Sequence, residues 1–196
     1  MKIFAVALIA IIVVIVALAI RARNARADLL KEGQIAPPFT TEMVTGENQA
    51  PVSLADFHGK KVILYFYPKD ETSGCTKEAC AFRDGYARYT NAGLVVLGCS
   101  IDTAEAHKDF IRKNGLPFPL LLDPGKKIAT AYGAANGIPI LGLDRRITYV
   151  IDENGKILKV YPSVDPSTHA IEILNDLGVA NAAPPAQASP AAPASN

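Results

Sequence analysis

The hydrophobic pattern divides the chain into three parts. Residues Ile3–Ile20 (IFAVALIAIIVVIVALAI) are apolar without interruption, so no polar position marks a helical face. A helix of that length spans ~27 Å, close to a hydrocarbon core of about 30 Å. The run exceeds the roughly 7–15 apolar residues usual in a signal peptide, so residues 1–27 predict a transmembrane helix serving as an anchor. Ala25-Arg26-Ala27 has the small-x-small form of a cleavage site, which keeps a removable signal segment as the alternative. Lys2 precedes the run, and Arg21, Arg23 and Arg26 follow it. The positive-inside rule would then hold the rest of the chain in the cytoplasm. The very short N-terminal tail favours export instead, and the side stays open.

From Lys31 the pattern changes to short apolar runs separated by amphipathic stretches. GQIAPPF (33–39) reads as an extended entry. Val62–Tyr67 (VILYFY), closed by Pro68, reads as a buried strand, and Leu94–Ser100 (LVVLGCS) as a second. Residues 75–90 and Thr103–Asn114 read as helices, the latter capped by Asp102 or Thr103 and stopped by Gly115. Pro119–Leu122 is a short strand and Lys126–Tyr132 a short helix. ITYVI and KILKVY, joined by DENG, predict a hairpin, with Asn154-Gly155 supplying the positive φ angles of a two-residue turn. Pro166–Leu177 predicts a last helix, capped by Asp165, with Ile171, Ile173, Leu174 and Leu177 as its apolar stripe. Strands that alternate with helices pair in parallel, and the late hairpin adds an antiparallel pair. The expectation is an α/β, thioredoxin-like domain over residues 31–178, a mixed central sheet flanked by helices. Residues 180–196 carry prolines and alanines but no charge and no large apolar side chain, so a disordered tail is expected there.

Charge excludes one class of partner. The whole chain has a formal charge of +1. Without Lys2, Arg21, Arg23 and Arg26, acidic residues outnumber basic ones, and no basic run remains to bind a nucleic-acid backbone. Three cysteines are too few for a disulfide scaffold or a four-cysteine zinc site. Cys99, His58, His107 and His169 share no ligand spacing, so no metal site is expected.

Two of the three cysteines, Cys75 and Cys80, lie in DETSGCTKEAC (70–80), between a predicted strand and a predicted helix. In the first turn of a helix, Cys75 would face unpaired N–H groups and the positive end of the helix dipole, which favour the nucleophilic thiolate. Gly74 permits a tight turn beside it. Thr72 can cap the helix or offer its hydroxyl to the sulfur, and Glu78 suits a first-turn acid. Within an intact helix, residues five apart have Cα atoms roughly 8–9 Å apart, whereas a disulfide wants about 4.4–6.8 Å. The pair can therefore bond only if the first turns unwind, which points to a switch. A permanent bridge would require that 75–80 not be helical. Cys99, in an apolar strand, reads as a small core residue.

The segment YFYPKDETSGCTKEACAFRD (65–84) resembles the active-site segment of the peroxiredoxins, and most closely that of the Q-type, or bacterioferritin comigratory, group. Pro68, Thr72 and Cys75 meet the pattern P-x-x-x-T-x-x-C, and Cys80 stands at the second-cysteine position of that group. GQIAPPF, VSLADFHGKKVILYFYPKD, RITYVIDENGKI and VDPSTHAIEIL extend the resemblance over about residues 31–178. It implies that Cys75 attacks a hydroperoxide and becomes a sulfenic acid, and that Cys80 resolves it into an intramolecular disulfide. Thioredoxin or a similar dithiol protein would reduce that disulfide. Thr72 and Pro68 would hold and shield the peroxide. Arg146 would favour the thiolate and the departing oxygen, and only the resemblance selects it over Arg145. Two departures stand out. Ser73 replaces the group's common proline, and residues 133–143 match poorly. The implied enzyme is an antioxidant thiol peroxidase, a monomer or weak dimer. Residues 3–20 would tether it to a bacterial inner membrane, or it would be periplasmic or secreted if they are cleaved. Its rivals are a membrane-tethered thiol-disulfide oxidoreductase and a non-enzymatic thioredoxin-like binding module.

Overall fold

The computed structural model describes residues 29–135 and 142–179. The anchor expected in residues 1–27 and the tail expected in 180–196 lie outside these residues. Among the described residues no helix is long and apolar enough to cross a membrane.

Seven strands form one mixed sheet: β1 Thr40–Thr45, β2 Asn48–Ser53, β3 Lys61–Phe66, β4 Leu94–Ser100, β5 Leu120–Leu122, β6 Ile147–Ile151 and β7 Ile157–Tyr161, in the order β2-β1-β5-β4-β3-β6-β7. The helices are α1 Ser73–Asp84, α2 Tyr86–Asn91, α3 Ala104–Asn114, α4 Lys127–Ala131 and α5 His169–Asp176. β3, β4 and β5 run parallel, and β6 returns antiparallel beside β3, with Phe66 opposite Ile147.

VILYFY is apolar at every position because the sheet is covered on both faces. Ile63, Tyr65 and Tyr67 pack beneath α1, α2, α3 and α5, with Phe82, Tyr89, Phe110 and Ile173. Val62, Leu64 and Phe66 point the other way, toward Ile128 and Ala129 of α4 and toward Tyr132 and Tyr149. Phe82 is fully buried, so truncating it to Ala would cost about 3–5 kcal/mol.

Several sequence expectations need correction. The helix expected over 75–90 is two helices separated at Gly85. The β1–β2 hairpin went unpredicted, because its strands bury only Val44 and Val52 and so lack an apolar face. The β6–β7 turn takes positive φ at Gly155 but not at Asn154. It spans Asp152–Gly155 with a register shift in β6, and the Asp152 carboxylate accepts from the N–H groups of Asn154 and Lys156. The last helix begins at His169, after Thr168, and Asp165 instead accepts from Ser167 ahead of it. Ile171, expected in its apolar stripe, is exposed. Thr103 does cap α3, and Gly115, with φ +60°, ends it.

Candidate active site

The register of β3 against β6 brings the site together. Where Phe66 pairs with Ile147, the next residues on each side, Tyr67-Pro68 and Arg146, leave the same end of the sheet. The chain after Pro68 makes a tight loop, with Glu71 at φ 61°, and enters α1 at Ser73. Cys75, in the first turn of α1, is buried. Arg146 Nη2 donates to Cys75 Sγ at 3.2 Å, across 71 residues of sequence. Gly74 makes room for this approach: a Cβ there would lie 3.3 Å from Arg146 Nη2. Arg145, by contrast, turns to the carbonyl of Gly133. Geometry thus separates two arginines that spacing leaves equivalent.

Glu78 departs from its expected place. One turn along α1 from Cys75, it is fully buried rather than a solvated first-turn acid, and it accepts from Arg146 Nη1. Burial pushes its carboxyl up to about 7, against the pull of Arg146. Burial also opposes the charge on Arg146, but Glu78 and then Cys75 outweigh it and hold the guanidinium above its ordinary range. A cation fixed between a buried acid and a buried sulfur stabilises negative charge on that sulfur and on an oxygen near it.

Thr72 occupies the N-cap position, yet its hydroxyl does not cap α1; it donates to the Lys69 carbonyl at 3.1 Å. Pro68 is half-buried where the strand gives way to the loop. The loop is anchored through Asp70. Its carboxylate accepts from Tyr67 Oη at 2.7 Å and contacts His107 Nδ1 at 2.7 Å, and its N–H donates to Asp102 at 2.8 Å. His107 is buried, with Nε2 3.2 Å from the Leu121 carbonyl. The sequence carried a trace of this. Ala104, His107 and Ile111 recur at helical spacing on the buried face of α3, so a polar residue there needs a buried partner.

Cys80 lies elsewhere. α1 runs unbroken through both cysteines, and both are free thiols. Cys80 is half-buried, and its sulfur is 3.9 Å from Asn114 Oδ1 at the end of α3. The structure therefore brings Cys75 and Arg146 together and leaves Cys80 apart. Cys99 is buried in β4, and burial, followed by Asp123 and Asp144, drives its thiol well above the ordinary range, as suits an inert core residue. Among the described residues no cluster of His, Cys, Asp and Glu could hold a metal ion.

Residues 33–160 match the model of the AhpC/TSA family. Peroxiredoxin Q of Sedum lineare, a chloroplast protein, is 46% identical over 144 residues, covering 73% of this chain and 75% of that one. Among solved structures, peroxidoxin BcpB of Mycobacterium tuberculosis superposes with a TM-score of 0.68 at 30% identity, over 76% of this chain and 97% of that one. The bacterioferritin comigratory protein of Xanthomonas campestris, described for its alkyl peroxide reduction activity, gives a TM-score of 0.68 at 25% identity, over 76% and 98% of the two chains. The chain belongs to the AhpC/TSA family, and within it to the Q-type peroxiredoxins.

Proposed function

We propose that this protein is a thiol-dependent peroxidase that reduces hydrogen peroxide and organic hydroperoxides, with Cys75 as the attacking residue and Cys80 as the resolving one. The observation that carries the reading is the Arg146 guanidinium 3.2 Å from a buried sulfur in the first turn of a helix. The Cys75 thiolate attacks the terminal peroxide oxygen. The O–O bond breaks, the sulfur becomes a sulfenic acid, and the remaining oxygen takes a proton and leaves as water or alcohol. Arg146 holds charge on the sulfur before the step and on the departing oxygen during it. The start of α1 carries no side-chain cap, so its N–H groups can bind the peroxide oxygens. On this reading Thr72 lies at the mouth of the site and Pro68 shields it. The Cys80 thiol then displaces hydroxide from the sulfenic acid, giving a disulfide and water. Thioredoxin or a similar dithiol reduces that disulfide by exchange.

The helical geometry of residues 73–84 supports the view that α1 must unwind before this bond can form. The apolar run at residues 3–20 supports a membrane tether, with the domain on its cytoplasmic or periplasmic side. The domain of residues 31–178 would act as a monomer or weak dimer between that tether and the tail of 180–196.

The test treats the reduced full-length chain with one equivalent of hydrogen peroxide and maps its thiols by peptide mass spectrometry. A Cys75–Cys80 disulfide is expected in the wild type. Cys80→Ser should stop at the sulfenic or overoxidised acid on Cys75, and Cys75→Ser should leave Cys80 unmodified. A Cys75 that stays reduced under these conditions would rule the peroxidase reading out.

A further inference from the structure

Cys80 is held by a different residue from the one that holds Cys75. Asn114, the last residue of α3, donates from Nδ2 to the Phe110 carbonyl at 2.9 Å. That bond fixes the orientation of the amide and turns Oδ1 toward the Cys80 sulfur. An amide oxygen only accepts, so the sulfur facing it must bring the hydrogen. The same residue holds α1 a second time: its main-chain carbonyl accepts from Arg83 Nη1 at 2.7 Å. Arg83 follows Cys80 by three residues on α1, and its charge, reinforced first by Asp84, also interacts with the Cys80 sulfur. Asn114 thus holds α1 at two places, through its amide oxygen at Cys80 and through its main-chain carbonyl at Arg83.

We propose that Asn114 is a positioning residue that keeps Cys80 docked on α3 until α1 unwinds, and so sets the balance between disulfide formation and overoxidation. The inference rests on the peroxidase reading above. In the reduced protein the Cys80 thiol is tied to α3 and held apart from Cys75 by the intact helix. When the start of α1 melts, Cys80 leaves the amide oxygen and is free to reach Cys75. The freed sulfur attacks Cys75: an S–S bond forms, the S–O bond of the sulfenic acid breaks, and the hydroxide takes the thiol proton and leaves as water. The competing event is attack of the Cys75 sulfenic acid on a second hydroperoxide, which yields sulfinic acid and water or alcohol. A tighter latch lengthens the life of the sulfenic acid and favours that loss.

The experiment compares Asn114→Ala and Asn114→Asp with the wild type, each as the reduced full-length chain. Hydrogen peroxide is added over a range of doses, the reaction is quenched rapidly, and the Cys75 species are counted by peptide mass spectrometry. Asn114→Ala removes the acceptor and should speed disulfide formation about two- to fivefold, with a lower sulfinic fraction at each dose. Asn114→Asp keeps an acceptor and adds negative charge beside the sulfur, while, like Asn114→Ala, it gives up the donation to the Phe110 carbonyl. It should slow disulfide formation and raise the sulfinic fraction. The rate of the first step, oxidation of Cys75 to the sulfenic acid, should be the same in all three. Mere loosening of the end of α3 would move both variants in one direction. That result, unchanged rates in both, or a first step slowed in Asn114→Ala would overturn the proposal. Absence of the Cys75–Cys80 disulfide from the wild type would instead remove the peroxidase reading beneath it.

Discussion

The first turn of α1 and its second turn hold their cysteines by opposite means. Around Cys75 the groups are charged and close-set: a partly buried Arg146 lies between the buried sulfur and the buried Glu78. Around Cys80 the sulfur is half-buried, meets a neutral amide through a long contact and has the Arg83 guanidinium near it. The first environment stabilises a charge and keeps its geometry. The second is weak enough to be abandoned. A helix that carries both can present a ready nucleophile and still release its partner, because the stronger set of interactions depends on a charge that oxidation of Cys75 removes.

The largest way to break this contrast is at the cation. Arg146→Gln should slow oxidation of Cys75 by peroxide about a hundred- to thousandfold, the usual effect of losing one aligned donor to a developing oxyanion. Stopped-flow kinetics with limiting peroxide would measure it. Arg145→Gln, whose side chain faces the Gly133 carbonyl, should leave the rate within about twofold of wild type. Equal losses in the two variants would erase the distinction that the β3–β6 register draws.

The next effect concerns pH. Folding raises Glu78 from an ordinary 4.5 to about 7. Between those values the folded protein holds a proton that the unfolded chain has released. The stabilisation this gives is complete below about pH 4.5 and disappears as pH rises through about 7. Glu78→Gln should remove that part of the slope, on the order of 2–3 kcal/mol between pH 4.5 and 8. Urea denaturation curves for both proteins across that range would read it directly, and parallel curves would show that Glu78 does not titrate in the window.

The smallest effect sharpens the comparison from the helix start. Ser73, exposed at the first position of α1, follows Thr72 at φ −78° and ψ 146°, a conformation that accepts a following proline. Ser73→Pro should stiffen the turn by about 0.4–1 kcal/mol. Disulfide formation should slow about two- to fivefold. If the disulfide formed as fast as before, unwinding would have to begin elsewhere than at Ser73.

What could be read from the sequence depended on whether a residue's partner was local. β3 and β4 were legible because burial on both faces leaves continuous apolar runs. The end of α3 was legible because Gly115 is a local signal. The cysteine pair was legible because its spacing alone fixes what an intact helix allows. Arg146 was not separable from Arg145, since the choice is made by β6 pairing with β3. Thr72 was expected to cap α1, but its hydroxyl found the Lys69 carbonyl three residues back. Asn114 gave no functional signal, because its partner Cys80 lies 34 residues away, and His107 gave only its place on a buried helix face, because its partner Asp70 lies 37 residues away. The β1–β2 hairpin was missed because a strand that buries one side chain leaves no period-two pattern.

The break at Gly85 has a mechanical consequence. Beyond it the chain begins a separate helix, with Tyr89 fully buried and its hydroxyl bonded to the Ala170 carbonyl. Phe82, just before it, is buried as firmly. On the proposed mechanism, melting that starts at Ser73 would run into a fixed post within three turns and would stop short of α2. The moving part would then have a bounded stroke, too short to loosen the core that must receive it back.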